Sequence, residues 1–240
     1  MQSESAIWFR TICRNNGINP TDAQLEQMEQ YVHLLLGWNK KINLISRKDE
    51  DNVWTYHILH STSLLFKLDL KAGAAVIDIG SGGGLPGIPI KILRPDISLL
   101  CLDATKKKTF AVSQMIEELK LVDARTVWGR AEEIGLQSGY LHMFDYAVAR
   151  AVCQLDELLT LSKNFLYKKE QSAISIDAPV SHSVETNPPA LIAFKGGDVK
   201  RELERAVRKF PSVDIETIAL SFKGSEQLDA SDKKILVIHL

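Results

Sequence analysis

Cysteine is scarce in this chain, and its spacing pairs it with nothing. There are three (Cys13, Cys101, Cys153), an odd number without a C-x-x-C. That argues against a disulfide framework or a structural zinc site and points to a reducing, cytoplasmic setting. Long apolar runs are missing as well: no stretch reaches the roughly 20 residues that cross a bilayer. The opening MQSESAIWFRTICRNNG lacks a basic start followed by an apolar run, so no secretory leader is expected. Nor does charge of one sign dominate, since 29 basic and 30 acidic residues leave a net −1. Any contact with nucleic acid must then use local patches. No Ser/His/Asp or Cys/His arrangement suggests a covalent mechanism. His57 and His60 lie one helical turn apart without an evident third ligand, so no metal site is expected there. With 240 residues, 45% of them hydrophobic, the chain needs no covalent staples to bury a core.

Glycine is present where it counts. In VIDIGSGGGLPGIP, residues 76–89, a short apolar strand is interrupted by Asp78 near its carboxyl end, and Gly80, Gly82, Gly83 and Gly84 follow. Such a loop admits positive φ and close backbone approach to a ligand, while the next helix offers unpaired N–H groups. A nucleotide-like cofactor is the natural occupant. The dinucleotide pattern GxGxxG occurs at Gly82, Gly84 and Gly87, but too far past the strand and with Pro86 and Pro89 in the turn. A phosphate-cradling loop needs Lys and Ser or Thr after its last glycine; here Leu85, Pro86 and Gly87 follow. A carboxylate followed by Gly80-Ser81-Gly82-Gly83-Gly84 resembles motif I of the S-adenosylmethionine-dependent methyltransferases.

The first seventy residues read as helices. Thr21 and Gln24 form a capping box ahead of Leu25, Met28, Val32 and Leu35, and a second helical run covers about 52–68. Past Lys71-Ala72-Gly73, strands at 75–79, 98–102, 126–128, 146–149 and 191–194 alternate with helices near 85–93, 107–119 and 154–166. This is the pattern of a doubly wound, Rossmann-like α/β sheet with right-handed crossovers. Two final strands, 217–222 and 234–239, are separated only by a polar turn and should pair antiparallel at the sheet edge. The expected organisation is a helical cap over 1–70 and a catalytic domain over 71–240. Segment 171–189 reads as a surface loop or an active-site flap, with the loop favoured.

Ligands in such sheets sit outside the carboxyl ends of the strands. Asp103 ends the second strand about twenty residues past the glycine loop, placed to accept hydrogen bonds from ribose hydroxyls or else to cap the next helix. Gly129 to Glu133 follow the third strand, where Glu132 and Glu133 also suit a first helical turn. Arg150 ends the fourth, positioned for a carboxylate or a phosphate. Cys153, close by, reads as a small core residue. Three basic clusters stand out: Lys40-Lys41 with Arg47-Lys48, Lys106 to Lys108, and the 200–209 segment, whose charges are interleaved with glutamates. The first two are the better candidates for RNA phosphates.

Together IDIGSGGGLPGIP, Leu102-Asp103, the RAEE at Arg130 to Glu133 and Ala149-Arg150-Ala151 resemble the bacterial small-subunit ribosomal RNA guanine methyltransferases, formerly glucose-inhibited division protein B. WNKKINLISRKDE, HILHS at His57 to Ser61 and LIAFKGG near Lys195 extend the resemblance over most of the chain. It departs where His60 stands for Asp, Val152 for an aromatic residue and Lys106 for a common glycine. The resemblance implies a class I methyltransferase fold that moves a methyl group from S-adenosylmethionine to ring nitrogen 7 of a guanine in the small ribosomal subunit. The acting species would be a cytoplasmic monomer. Expected cofactor contacts are Asp78, Gly80, Gly82, Leu85, Asp103, Ala131, Glu132 and Arg150. Arg150 is also the catalytic candidate, as a positioning cation, and Arg47, His57, Lys107, Lys108 and Lys195 are the candidates for the RNA side. Nitrogen 7 carries an in-plane lone pair, so no general base is required. The alternatives are a non-catalytic RNA-binding assembly factor with this fold and a nicotinamide-dependent oxidoreductase.

Overall fold

Alternating side chains decide the layers. In the computed structural model, which describes residues 2–167, 184–229 and 232–240, Val76, Leu99, Cys101, Tyr146 and Val148 face one hydrophobic cluster. Their neighbours Ile77, Ile79, Leu100, Leu102, Ala147 and Ala149 face another. Both faces of the sheet are therefore covered, as a parallel sheet requires.

The chain opens with α1 (Glu4–Asn15) and α2 (Asp22–Asn39), the latter started by the expected capping box between Thr21 and Gln24. Next comes an irregular helical run: tight turns over Arg47–Asn52, a wide turn over Trp54–Leu59, α3 (His60–Thr62) and a last turn over Ser63–Phe66. Strand β1 (Leu68–Leu70) leads into β2 (Ala75–Ile79), α4 (Gly87–Leu93), β3 (Ser98–Asp103), α5 (Lys106–Glu118), β4 (Ala124–Trp128), α6 (Ala131–Ile134), β5 (Tyr146–Arg150) and α7 (Leu155–Ser162). Beyond the undescribed stretch follow β6 (Val184–Thr186), β7 (Ala190–Gly196), α8 (Lys200–Lys209), β8 (Asp214–Ala219), α9 (Glu226–Asp229) and β9 (Lys233–His239).

Seven strands form one sheet in the order β4-β3-β2-β5-β7-β9-β8, in which β9 runs antiparallel to both its neighbours. The order reverses between β2 and β5, and the crevice opens there. Helices α1, α2, α4 and α5 share one cluster with the irregular run, while α6, α7 and α8 pack on the other face. Asn16 Nδ2 donates to the Lys223 carbonyl at 2.9 Å and its Oδ1 accepts from the Lys223 N–H at 3.2 Å, so the end of the first helix is tied to the loop between β8 and α9.

Two expectations shift. The edge strand expected at 217–222 is β8, three residues earlier, because Ile215 and Ile218 pair with Ile238 and Ile235 and the pairing ends at Ala219 with Lys234. Phe222 instead folds onto Phe66, ring centres 5.0 Å apart, and α9 occupies part of the expected polar turn. Of segment 171–189, residues 171–183 lie outside the described residues; β6 at its end pairs in parallel with β1.

Candidate active site

The glycine loop is held from three sides before any ligand is considered. Gly80 and Ser81 donate their N–H groups to the Leu102 carbonyl at 2.8 and 3.0 Å, which fastens the loop to β3. From α2, the buried Tyr31 hydroxyl donates to the Gly83 carbonyl at 2.9 Å. Asp103 takes the Gly82 N–H on Oδ2 at 2.9 Å and the Thr105 N–H on Oδ1 at 2.7 Å. Asp103 thus steadies the start of α5, whose N-cap residue is Thr105, and each of its oxygens keeps a lone pair for a further donor.

Gly80 has φ +70°, and an added Cβ would stand 2.8 Å from Val152 Cγ2. Glycine is needed there to pass the β5 end, so the obstruction is a protein side chain rather than a ligand. Gly87 serves a different purpose: its N–H donates to Asp78 Oδ2 at 2.8 Å, and a Cβ would meet that same oxygen. Asp78 is fully buried with Oδ1 unpartnered, and burial pushes its carboxyl up to about 7 against the pull of the Gly87 N–H.

A cavity of about 680 Å³ opens beside this loop, walled by Gly80 to Gly83, Leu85, Asp103 and Lys108 on one side. Arg150, at the end of the neighbouring strand β5, lines it too, with residues from the N-terminal run and Leu228 and Lys233 from the chain's end. The Arg150 guanidinium donates through Nη1 to the Tyr56 carbonyl at 3.1 Å and through Nη2 to His57 Nδ1 at 2.9 Å. His57 Nε2 lies 3.2 Å from Asp49 Oδ2. Since Nδ1 faces a donor, the ring proton belongs on Nε2, directed at the carboxylate. Burial, then the neighbouring guanidinium, lower His57 to about 4 although Asp49 opposes them, so the ring is neutral at pH 7. Burial also lowers Arg150 from its ordinary value, and it holds His60, which stacks edge-on against Phe194, well below the histidine range.

The N-terminal wall is fixed by Asn39, whose Oδ1 accepts the Leu44 and Ile45 N–H groups at 2.8 and 3.0 Å while Nδ2 donates to Glu50 at 2.6 Å. The cavity therefore offers a carboxylate at one end, a cation at the other and a glycine-lined wall between them. That set suits a zwitterionic nucleoside: hydroxyls for Asp103, a carboxylate for Arg150.

Of the residues expected from sequence, Gly80, Gly82, Leu85, Asp103, Arg150, His57 and Lys108 line this one cavity. Asp78 lies behind the loop and does not line it. Ala131 and Glu132 begin α6 outside it, the alanine buried and the glutamate exposed. Lys107 is exposed next to Lys108, and Arg47 borders a separate shallow recess with Asn43 to Ser46. Lys195 turns away: its ammonium is ion-paired with Glu202 and donates to the Cys153 carbonyl at 2.8 Å. Sequence reasoning missed Asp49, Tyr56, Leu228 and Lys233 in the wall. Asp49 falls inside a motif that carried the resemblance. The other three have no local signal, because only packing brings them there.

Comparison with known proteins bears on the same region. The family model GidB, rRNA small subunit methyltransferase G, matches residues 24–177. A ribosomal RNA small subunit methyltransferase G of Porphyromonas gingivalis is 38% identical over 183 residues, covering 76% of this chain and 75% of that protein. The Lactococcus lactis protein of that name is 33% identical over 210 residues, 87% of each chain. Among solved structures, a methyltransferase from Geobacter sulfurreducens superposes with a TM-score of 0.51 at 12% identity, covering 88% of both chains. The Bacillus subtilis tRNA methyltransferase TrmK gives 0.51 at 13%, over 76% of this chain and 65% of that one; both show a shared fold. The matched span carries the glycine loop, Asp103 and the Asp49–His57–Arg150 chain, and on that extent and identity this chain belongs to the rRNA small subunit methyltransferase G family.

Proposed function

We propose that this protein transfers a methyl group from S-adenosylmethionine to ring nitrogen 7 of a guanine in small-subunit ribosomal RNA, acting as a cytoplasmic monomer on an assembled or partly assembled subunit. The observation that supports the atom is the engagement of His57, the histidine beside Arg150. The His57 ring is engaged at both nitrogens, by Arg150 and by Asp49, and is not free to take a proton from substrate. Nitrogen 7 of neutral guanine needs no such acceptor.

S-adenosylmethionine, when bound, supplies an electrophilic methyl on a sulfonium centre. Asp103 holds the ribose hydroxyls, and Arg150, pinned by Tyr56 and His57, holds the carboxylate of the amino-acid part. The glycine loop lets the ligand lie against backbone. Catalysis is then chiefly positioning, which supplies up to about 7–11 kcal/mol of a barrier when reacting atoms are aligned. Residues 1–70 act as a cap on the 71–240 unit, contributing Leu44, Asp49, Tyr56 and His57 to the wall.

The test is incubation of undermethylated small subunits with the protein and methyl-labelled cofactor, followed by mapping of the modified nucleotide. One N7-methylguanine is expected. Label on another atom, or none, overturns the reading.

A further inference from the structure

Outside the cavity, five side chains from three elements form a continuous ladder. Lys41 Nζ lies 4.8 Å over the Trp38 ring, Trp38 meets Phe110 edge-on at 6.0 Å, and Lys106, one turn before Phe110 on α5, places Nζ 5.0 Å over the Trp128 ring at the end of β4. Phe110 is 57% and Trp128 55% exposed, although burial of such rings is normally strongly favoured. Five lysines lie within four residues of Trp38 or Phe110 in the sequence: Lys40, Lys41, Lys106, Lys107 and Lys108. Among the described residues none of these ammonium groups has an ion-pair partner. Lys108, on the same helix as Lys106 and Phe110, lines the cavity, so α5 connects cavity and ladder.

A chain of net charge −1 has here concentrated unpaired cations around open aromatic faces. Apolar area alone would suit a protein partner, but cations set among open rings suit a polyanion whose units carry π faces. We propose that this strip docks an unpaired stretch of RNA, bases stacking on Phe110 and Trp128 and phosphates meeting the lysines. The inference rests on the RNA substrate proposed above and adds where the strand lies away from the reacting base.

The experiment measures binding of the full chain to a short, unstructured oligoribonucleotide of mixed sequence, alongside kinetics on undermethylated small subunits. Phe110→Ala and Trp128→Leu should each weaken oligonucleotide binding roughly 5- to 150-fold, the range of one base stack. Trp128→Phe, which keeps a π face, should retain most of the affinity. Replacing Lys41 and Lys106 by Ala should flatten the salt slope by roughly 1.4, about 0.7 per cation on a single strand. On subunits, KM should rise while kcat and affinity for S-adenosylhomocysteine stay unchanged, which also shows that the variants are folded. The proposal is overturned if the unaltered chain does not bind the oligonucleotide, if Trp128→Leu binds like Trp128→Phe, or if the variants weaken binding to subunits but not to naked RNA, which would mark a protein partner. Should the unaltered chain methylate subunits while the variants show no defect, the strip alone fails; should it methylate nothing, the proposed function fails.

Discussion

Two buried groups beside Arg150 titrate in opposite senses, and their opposition can be measured. Asp78 has its folded pKa raised to about 7 by burial, so between the ordinary carboxylate value and 7 the folded state holds a proton that the unfolded chain has lost. Stability from this group is complete below the unfolded pKa and is lost as pH rises toward 7. His57 is lowered to about 4 by burial and by the guanidinium, so between 4 and its ordinary value the unfolded chain holds the extra proton. Its stability is present above about pH 6.5 and is lost as pH falls toward 4. Each slope is about 1.4 kcal/mol per pH unit, with opposite sign, so over the overlap the two cancel. Urea unfolding of the unaltered chain, Asp78→Asn and His57→Gln at about pH 6.5 and about pH 4.5 separates them. Relative to the unaltered chain, Asp78→Asn should lose about 2 kcal/mol on going to the lower pH and His57→Gln should gain about 2. The comparison concerns the change with pH, so a fixed cost from a lost hydrogen bond drops out. Parallel stability curves for all three would refute the assignment of these protonation states, and with them the view that His57 stands neutral against Arg150.

Gly80→Ala combines a left-handed backbone with a methyl 2.8 Å from Val152, so a cost of about 1–3 kcal/mol is expected, together with weaker S-adenosylhomocysteine binding by calorimetry. Adding Val152→Ala should recover the steric part and leave the backbone part, and a double variant no better than the single one would refute the contact. Asn39→Ala leaves the Leu44 and Ile45 N–H groups without their acceptor; thermal melts should show about 2–3 kcal/mol of destabilisation and cofactor affinity should fall, since that loop walls the cavity. Arg150→Lys preserves charge but cannot span Tyr56 and His57 at once, so single-turnover methyl transfer should slow at least tenfold with the fold intact. An unchanged rate would remove Arg150 from the positioning machinery.

Much of the architecture was legible because it is local. Strand β2 with its glycine loop, the Thr21 capping box and the alternating strand faces depend on residues a few places apart, and the structure has each where the pattern puts it. The β8 boundary was not legible: it depends on which β9 residues it pairs with, and Phe222 is drawn off to Phe66. The difference is sharpest in the cavity. Asp103 at a strand end could be read from its position after the loop, whereas Lys195, a basic residue at a comparable strand end, is consumed by Glu202 one helix away.

By itself the sequence determined that a carboxylate and a glycine turn would sit at the carboxyl edge of a parallel sheet, because backbone conformation and side-chain alternation are short-range properties. Only the tertiary structure decided that Tyr56 and His57 would clasp Arg150, whose guanidinium reaches a histidine 93 positions away, and that Gly80 must be bare to clear Val152. The clasp on Arg150 exists because the N-terminal helices close onto one face of the sheet and share its core. The closure is set by the summed burial of many apolar side chains, which no single stretch of the chain encodes.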